Sequence, residues 1–525
     1  MSNRVDHITI LGGGSAGWLA AAMLAALLNR RNDGPDIRLT LIESPRIPRI
    51  GVGEATTLNI RNTLVELNID EKHFLKHTNG SFKCGVKFAD WDRDASGRLT
   101  SFFHPFFAPG AIEGRSPAYH YLRMAKEAVA PQSIHRLLTP GTPLLEDCKA
   151  PRRLEDKDYN GFIRYAYHLD AALFADYLKD FAIAMGVEFI PDDVVDVKLD
   201  ERGFVAALSL RERGAMPVEF VLDCSGFQGL VIRKALKEPF LSFSDHLLCD
   251  RAIPLQLDYP AAERGRLESF TTSTAISDGW VWKVPLYSRR GMGFVFSSKF
   301  TTDDRAIAQF MDYLGLDQAP DDIRIIPMQI GRVRRNWVNN CVAIGLSGGF
   351  VEPLEATALH FMQSAVRRFV DHFPDRRVSP ELADAYNRIT EGLYNEVRDI
   401  IALHYHCSTR DDTPFWKAVR HEVPVPDSLA RRLALWKRKL PGPHDHAAPF
   451  TVFNEWSYIY ILTGKGFFND VEFPLESTVS EADFRRFVRV IERQQAELAR
   501  LAPDHYALLT EMRAQEHAPW YAPAA

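Results

Sequence analysis

Apolar and polar positions along the chain follow two periods, and the first stretch already shows both. Ile8–Asn29 reads ITILGGGSAGWLAAAMLAALLN: an apolar run, three glycines, then an Ala/Leu-rich segment without charge. This predicts a buried strand, a tight turn and a buried helix. A second apolar run, Ile37–Ile42, ends at Glu43 and predicts the next strand. Ser81–Trp91 alternates Phe82, Cys84, Val86 and Phe88 with Lys83, Gly85 and Lys87, which predicts one strand with both lysines on a solvated face. Gly279–Pro285 places Trp280 and Trp282 on one face of a strand, with GMGFVFSS as its partner. Strands are also expected around 187–190 and 220–223, with a hairpin near Glu201–Gly203. Tyr165–Leu178 has helical spacing with Asp170 near its start. Cys341–Leu346 predicts a strand that runs through Gly348–Gly349 into a helix from about Glu355. Residues 108–158 read as loop with short helices, and from about 373 onward the pattern is helical.

Glycine positions add chemistry to this outline. Gly12, Gly14 and Gly17 stand in G-x-G-x-x-G order between strand and helix. The first permits the turn, the second lets a pyrophosphate approach the backbone, and the third lets helix pack on strand. Ser15 and Ala16 open the helix, whose free N–H groups and dipole favour an anion. Glu43 is placed to accept from a ribose hydroxyl. Similar strand-to-glycine junctions recur at FVLDCSGFQGL (220–230) and NCVAIGLSGGFVEPLEATALH (340–360). Three such junctions predict an α/β, Rossmann-like cofactor domain that is discontinuous in sequence. Gly51, Gly53 and the residues Glu54–Thr57 read as a loop leading into a helix, with Thr56 or Thr57 as its cap.

Composition narrows the classes. The 525 residues are 46% hydrophobic and 25% charged, with a formal net charge of -5. That suits a large soluble core and gives no general affinity for nucleic acid or acidic membranes. Six scattered cysteines without a C-x-x-C pair read as reduced thiols of a cytoplasmic protein. The uncharged run 8–28 is long enough to span a bilayer, but its glycines and serine argue for a buried strand and helix. LHYHC places His404, His406 and Cys407 together, yet no second ligand pair accompanies them. A helix end packed on the core is the simpler reading. His444 and His446 fall in an exposed loop, and the tail 515–525 is expected to be loosely held.

At this point the motifs resemble those of the flavin-dependent halogenases of the tryptophan halogenase family. GGGSAGW resembles the family's FAD fingerprint, and VGEAT, with Gly53, Glu54, Ala55 and Thr56, its flavin-contacting loop. FKCGVKFADW matches the lysine strand and FFHPF the aromatic clamp. DCSGFQG, with Asp223 and Gly226, and GLSGGFVEPLEAT, with Gly345 and Leu354, match two later flavin and active-site segments. GWVWKVP is similar to a W-x-W-x-I-P signature, with Val284 for isoleucine. The resemblance extends from the first strand to about residue 420.

It implies a flavin-monooxygenase-type fold: residues 1–372 hold FAD, with inserted substrate-side segments at about 101–157 and 241–324. A helical region, 373–525, closes the substrate site. The implied reaction uses reduced FAD, O2 and chloride or bromide to make hypohalous acid. Lys83 is implied to hold or polarise that oxidant, and a lysine in an apolar site has the lowered pKa that suits either role. Glu355 is implied to stabilise the ring cation and take its proton. His104 and Phe106 would sandwich a flat ring, with Trp456 a further wall. Trp280 and Trp282 would keep substrate from the flavin. Halide is implied to sit on the N–H groups of Thr357 and Ala358. Here Ala356 and Ala358 replace the family's serine and glycine, and alanine resists positive φ, which puts the shape of the halide pocket in question.

No second nucleotide site stands out, so the implied partner is a separate NAD(P)H-dependent flavin reductase; a homodimer is admitted. The C-terminal segment NEWSYIYILTGKGFFND does not align with the family's tryptophan-binding pattern. The expected substrate is therefore a neutral indole-like ring rather than free tryptophan. Two alternatives stand beside this reading: a flavin monooxygenase that hydroxylates an aromatic ring, and a catalytically silent FAD-binding protein.

Overall fold

The computed structural model describes residues 3–30, 36–47, 53–128, 132–445 and 451–515. Gly51, His446 and all but the first residue of the tail lie outside them. The strand His7–Leu11 is the centre of a six-stranded sheet. It pairs in parallel with Arg38–Glu43 on one side and Phe220–Asp223 on the other. Glu188–Pro191 and Cys341–Ala343 extend the parallel set outward, and Trp337–Val338 closes one edge antiparallel. The cofactor-type sheet is thus assembled from strands between residues 7 and 343, the discontinuity expected from the three glycine junctions.

The helix Ser15–Leu24 follows the first strand and is apolar all round, so it is buried along nearly its whole length. Ala25–Asn29 continues it as one wide turn. The uncharged run is therefore strand plus short helix. Among the described residues no helix is long and apolar enough to cross a membrane.

A second, seven-stranded sheet carries the tryptophan strand. Gly279–Pro285 pairs antiparallel with Arg289–Phe296 and with Thr271–Ile276, as the alternation predicted for its first partner. Ser81–Trp91 is not one strand. Ser81–Lys83 joins a small sheet with Ala166–Asp170 and Gly53–Ala55, whereas Gly85–Arg93 joins the seven-stranded sheet beside Leu99–Pro105. The chain changes sheet at Cys84, so Lys83 and Lys87 do not share an environment. Lys83 is buried and Lys87 half-buried.

Other expectations shift locally. Tyr165–Leu178 divides into the strand Ala166–Asp170 and the helix Ala171–Ala184, with Asp170 capping the helix by accepting from the N–H groups of Ala172 and Leu173. Thr56 and Thr57 cap nothing. The helix begins at Ile60, and the Thr56 hydroxyl is drawn to the main-chain oxygen of Tyr167 across the small sheet. The strand at Cys341 ends at Ala343, and the helix expected near Glu355 starts at Ala358. The helical C-terminal part is present as Pro380–His406, Asp427–Trp436, Glu455–Gly464, Glu481–Leu501 and His505–Ala514 among others.

Candidate active site

The glycine turn divides its work as the motif requires. Gly12 has φ +118°, and a Cβ there would stand 2.3 Å from the oxygen of Cys224. A Cβ on Gly17 would stand 1.8 Å from the oxygen of Gly12, so helix and strand pack through that hydrogen. A Cβ on Gly14 would meet nothing within 4 Å. The backbone at Gly14 therefore faces open space, at the mouth of a helix that no side chain caps. That is the cradle a pyrophosphate needs, and Glu43 stands over it at the end of the second strand.

One cavity of about 450 Å³ extends from this turn into the protein. Gly12, Gly14, Ser15, Ala16, Glu43, Gly53, Glu54, Ala55, Gly226 and Leu354 line it, together with Lys83, Trp280, Trp282, Glu355 and Ala358. Gly12 and Ala358, 346 positions apart in sequence, thus share one wall. Gly17, Thr56, Asp223, Gly345 and Thr357 stand behind the lining instead. Asp223 has a structural reason to do so. Its carboxylate accepts from the N–H groups of Ser225, Val231 and Ile232 and from the Ser225 hydroxyl, which builds the turn and leaves nothing free for a ligand. Gly345 packs on Ala16, where a Cβ would come within 2.8 Å.

Lys83 is wholly buried. Its Nζ donates to the main-chain oxygen of Thr56 at 3.0 Å and lies 5.2 Å from the Phe106 ring. Burial pulls its pKa down to about 8, against the opposing charge of Glu355. Burial alone would push the Glu355 carboxyl up. The charge and hydrogen bond of His104, and the hydrogen bond of His404, outweigh it and hold Glu355 well below the carboxylate range. His104 Nδ1 lies 3.1 and 3.2 Å from the two carboxylate oxygens, and His404 Nε2 lies 3.0 Å from Oε1.

His404 lies near the end of the helix Pro380–His406 and is buried, as a helix end packed on the core; its contact with Glu355 is what the sequence did not show. The missing signal was long-range: 49 positions separate it from Glu355.

Two aromatic expectations are corrected. His104 and Phe106 do not face one another as a clamp: their rings are perpendicular, with centroids 6.4 Å apart, because His104 is turned to Glu355. Trp456 is buried in the core against Tyr460 at 5.5 Å, because the helix Glu455–Gly464 is buried on all sides from Trp456 to Leu462. The C-terminal ring beside His104 is Phe453, at 6.3 Å. It is held there by Glu396, whose carboxylate accepts from the N–H groups of Val452 and Phe453.

Trp280 and Trp282 both line the cavity from the strand Gly279–Pro285. Trp280 is buried and donates from Nε1 to Glu352 Oε2 at 3.2 Å. Trp282 lies flat on Gly293 of the next strand, where a Cβ would come within 2.0 Å of the ring. The doubt attached to Ala358 moves. Ala358 opens the helix, and the positive φ angles belong to Glu355 (+63°) and Ala356 (+55°).

A family described as tryptophan halogenase matches residues 7–481. Tryptophan 6-halogenase ThaL of Streptomyces albogriseolus is 36% identical over 84% of this chain and 83% of its own. The solved tryptophan 6-halogenase SttH from Streptomyces toxytricini superposes with a TM-score of 0.89 at 31% identity, covering 97% of this chain and 100% of that one. BrvH, a flavin-dependent halogenase from Brevundimonas sp. BAL3, superposes with a TM-score of 0.86 at 33% identity, covering 97% and 100%.

Proposed function

The chain belongs to the tryptophan halogenase family, and on that premise we propose that it halogenates the ring of indole or an indole derivative. It is a flavin-dependent halogenase. The observation that carries the finer reading is the shared cavity, with the glycine cradle at one end and Lys83 and Glu355 at the other. When bound there, reduced FAD with O2 supplies the oxidation of halide to hypohalous acid.

The residues of this chain do the rest. Gly12, Gly14, Ser15 and Glu43 bind the dinucleotide, and the Gly53–Ala55 strand borders its ring. Trp280 and Trp282 separate the flavin end from the substrate end. A buried Lys83 with pKa about 8 has both a proton to donate and a lone pair within reach near neutral pH. It therefore aims the oxidant as a hydrogen-bond donor or as its covalent carrier. Glu355, held ionised, lowers the cost of positive charge on the ring and accepts the proton that leaves. The N–H groups of Thr357 and Ala358 are the proposed seat of halide.

Supporting the division into regions, residues 373–525 contribute directly to the substrate end. His404 reaches Glu355, and Phe453 stands beside His104. Residues 1–372 carry the flavin end. A neutral ring suits this pocket, because Glu355, which lines it, and Glu396, which holds Phe453 beside His104, are both engaged. Glu355 is held by two histidines and Glu396 by two main-chain N–H groups. A free ammonium entering there finds no uncommitted acid of this pair, and an unpaired buried charge costs several kcal/mol.

The test is product mass with reduced flavin, O2, an indole panel, and bromide or chloride. A halide-dependent mass gain carrying the halogen isotope pattern supports the reading. A gain of one oxygen without halide would move the chain to the hydroxylases.

A further inference from the structure

The helix Pro380–His406 brings His404 to the Glu355 carboxylate, which His104 reaches from the strand Leu99–Pro105. The imidazole is wholly buried. It stacks on Phe88, with centroids 4.3 Å apart and planes at 25°, and its edge meets Trp91 at 5.8 Å. With the ring stacked in this way, Nε2 lies 3.0 Å from Glu355 Oε1. A carboxylate can only accept, so Nε2 carries the proton. Nδ1 then holds a lone pair and has no hydrogen-bond partner among the described residues. An orphaned acceptor is tolerable in a neutral ring, whereas a second proton would create a buried, unpaired charged donor.

The surroundings keep the ring neutral. Burial holds its pKa down at about 4; Glu355 pulls the other way, and the charges of Lys465 and His104 add to the lowering. Lys465 is itself buried and pairs with Asp92 at 3.3 Å. Cys407, one helical step away, is pushed up to about 12 by burial and stays a thiol.

A second observation shows what this contact restrains. Glu355 and Ala356 both have positive φ, at +63° and +55°, without being glycine. Side-chain-bearing residues hold that conformation only where their surroundings over-determine it. Glu355 is anchored from two elements at once, His104 on the strand Leu99–Pro105 and His404 on the long helix.

We propose that His404 is a positioning residue. By donating from Nε2 to Oε1 it fixes the rotamer of Glu355 and the left-handed turn that carries it. The inference rests on the reading of Glu355 as the acid that serves the ring.

The experiment compares H404Q, H404N and H404F with E355Q in the full-length protein, with FAD, a flavin reductase, bromide and indole. Glutamine places an N–H donor near the position of Nε2, and asparagine places one near Nδ1. The expected result is turnover close to wild type in H404Q. H404N and H404F should show a fall in kcat on the order of 10- to 100-fold, as for a reacting group displaced by a fraction of an ångström. KM for indole and FAD affinity should stay near wild type, because neither ligand touches His404. Should H404F fail to fold, the glutamine–asparagine comparison still decides. Equal turnover in H404Q and H404N, whether high or low, overturns the positioning role. Loss in E355Q alongside wild-type rates in every His404 variant overturns the inference and leaves the Glu355 reading standing. A wild-type rate in E355Q removes that reading itself.

Discussion

Lys83 Nζ donates to the main-chain oxygen of Thr56 at 3.0 Å, one residue beyond the Gly53–Ala55 strand that lines the cavity. The ammonium is thus tied to the flavin side of the site while its charge is felt by Glu355 on the other. A single hydrogen bond fixes the lysine between the two halves of the proposed reaction.

Replacing Lys83 by methionine separates its chemistry from its burial. Bromination of indole should be lost, while FAD affinity measured by flavin fluorescence remains that of wild type. The folded protein releases this proton at about 8, below the ordinary 10.5. Between those values the unfolded chain binds more protons, so wild-type stability rises with pH across that window. Below about 8 the cost of burying the charge is present in full. Lys83→Met should therefore be more stable at pH 7, by roughly 2 kcal/mol after allowing for the lost hydrogen bond. That advantage should shrink by pH 10, as read from thermal midpoints at the two pH values. Retained bromination would remove Lys83 from the mechanism.

Gly14 and Gly17 should behave as opposites. A Cβ on Gly14 meets nothing within 4 Å, so Gly14→Val should fold and lose FAD by filling the pyrophosphate cradle. A side chain on Gly17 collides with the Gly12 oxygen, so Gly17→Val should not yield folded protein. Circular dichroism and flavin titration read the two effects. Unchanged FAD affinity in folded Gly14→Val would displace the cofactor from this turn.

Glu355→Gln should slow turnover by a factor on the order of 10² or more, from loss of a proton acceptor and a counter-charge. Because its folded pKa is depressed below 4.5, the carboxylate contributes stability above that value. This contribution is lost as the pH falls further. The thermal midpoint of wild type should therefore exceed that of the glutamine variant at pH 7, and the gap should close as the pH falls below 4.5.

Ala356→Gly tests the strained turn. At φ +55° alanine carries a backbone cost that glycine lacks, and relief is worth up to about 1 kcal/mol. A rise in thermal midpoint with bromination kept is the expected outcome. Ala358→Gly should give no such rise, since Ala358 already lies in helix.

Competition between indole and tryptophan at equal concentration with bromide probes the substrate end. Indole should be consumed first and attacked at its most nucleophilic carbon, because a ring held mainly by Phe106, Phe453 and His104 is free to react by its own preference. Faster consumption of tryptophan, or a single unactivated benzo-ring product, would reveal an amino-acid pocket.

Local pattern determined much of this protein. Gly12, Gly14 and Gly17 declared their turn because a tight strand-to-helix junction admits few residue types. Trp280 and Trp282 declared a shared face because strand periodicity is rigid. Both relations involve neighbours within a few residues, which is the range over which backbone geometry acts. What the tertiary structure decided lies beyond that range. The alternation around Lys83 predicted a solvated face, yet the chain changes sheet at Cys84 and buries it. His404 read as a helix end packed on the core, and only the approach of a distant helix sets it against Glu355. Asp223, expected at the ligand, is consumed by four donors of its own turn. Trp456 was a candidate wall through the family resemblance, and the burial of its whole helix put it in the core while Phe453 took the place beside His104. Side-chain environment depends on which surfaces meet, and residue spacing along one chain carries no record of that.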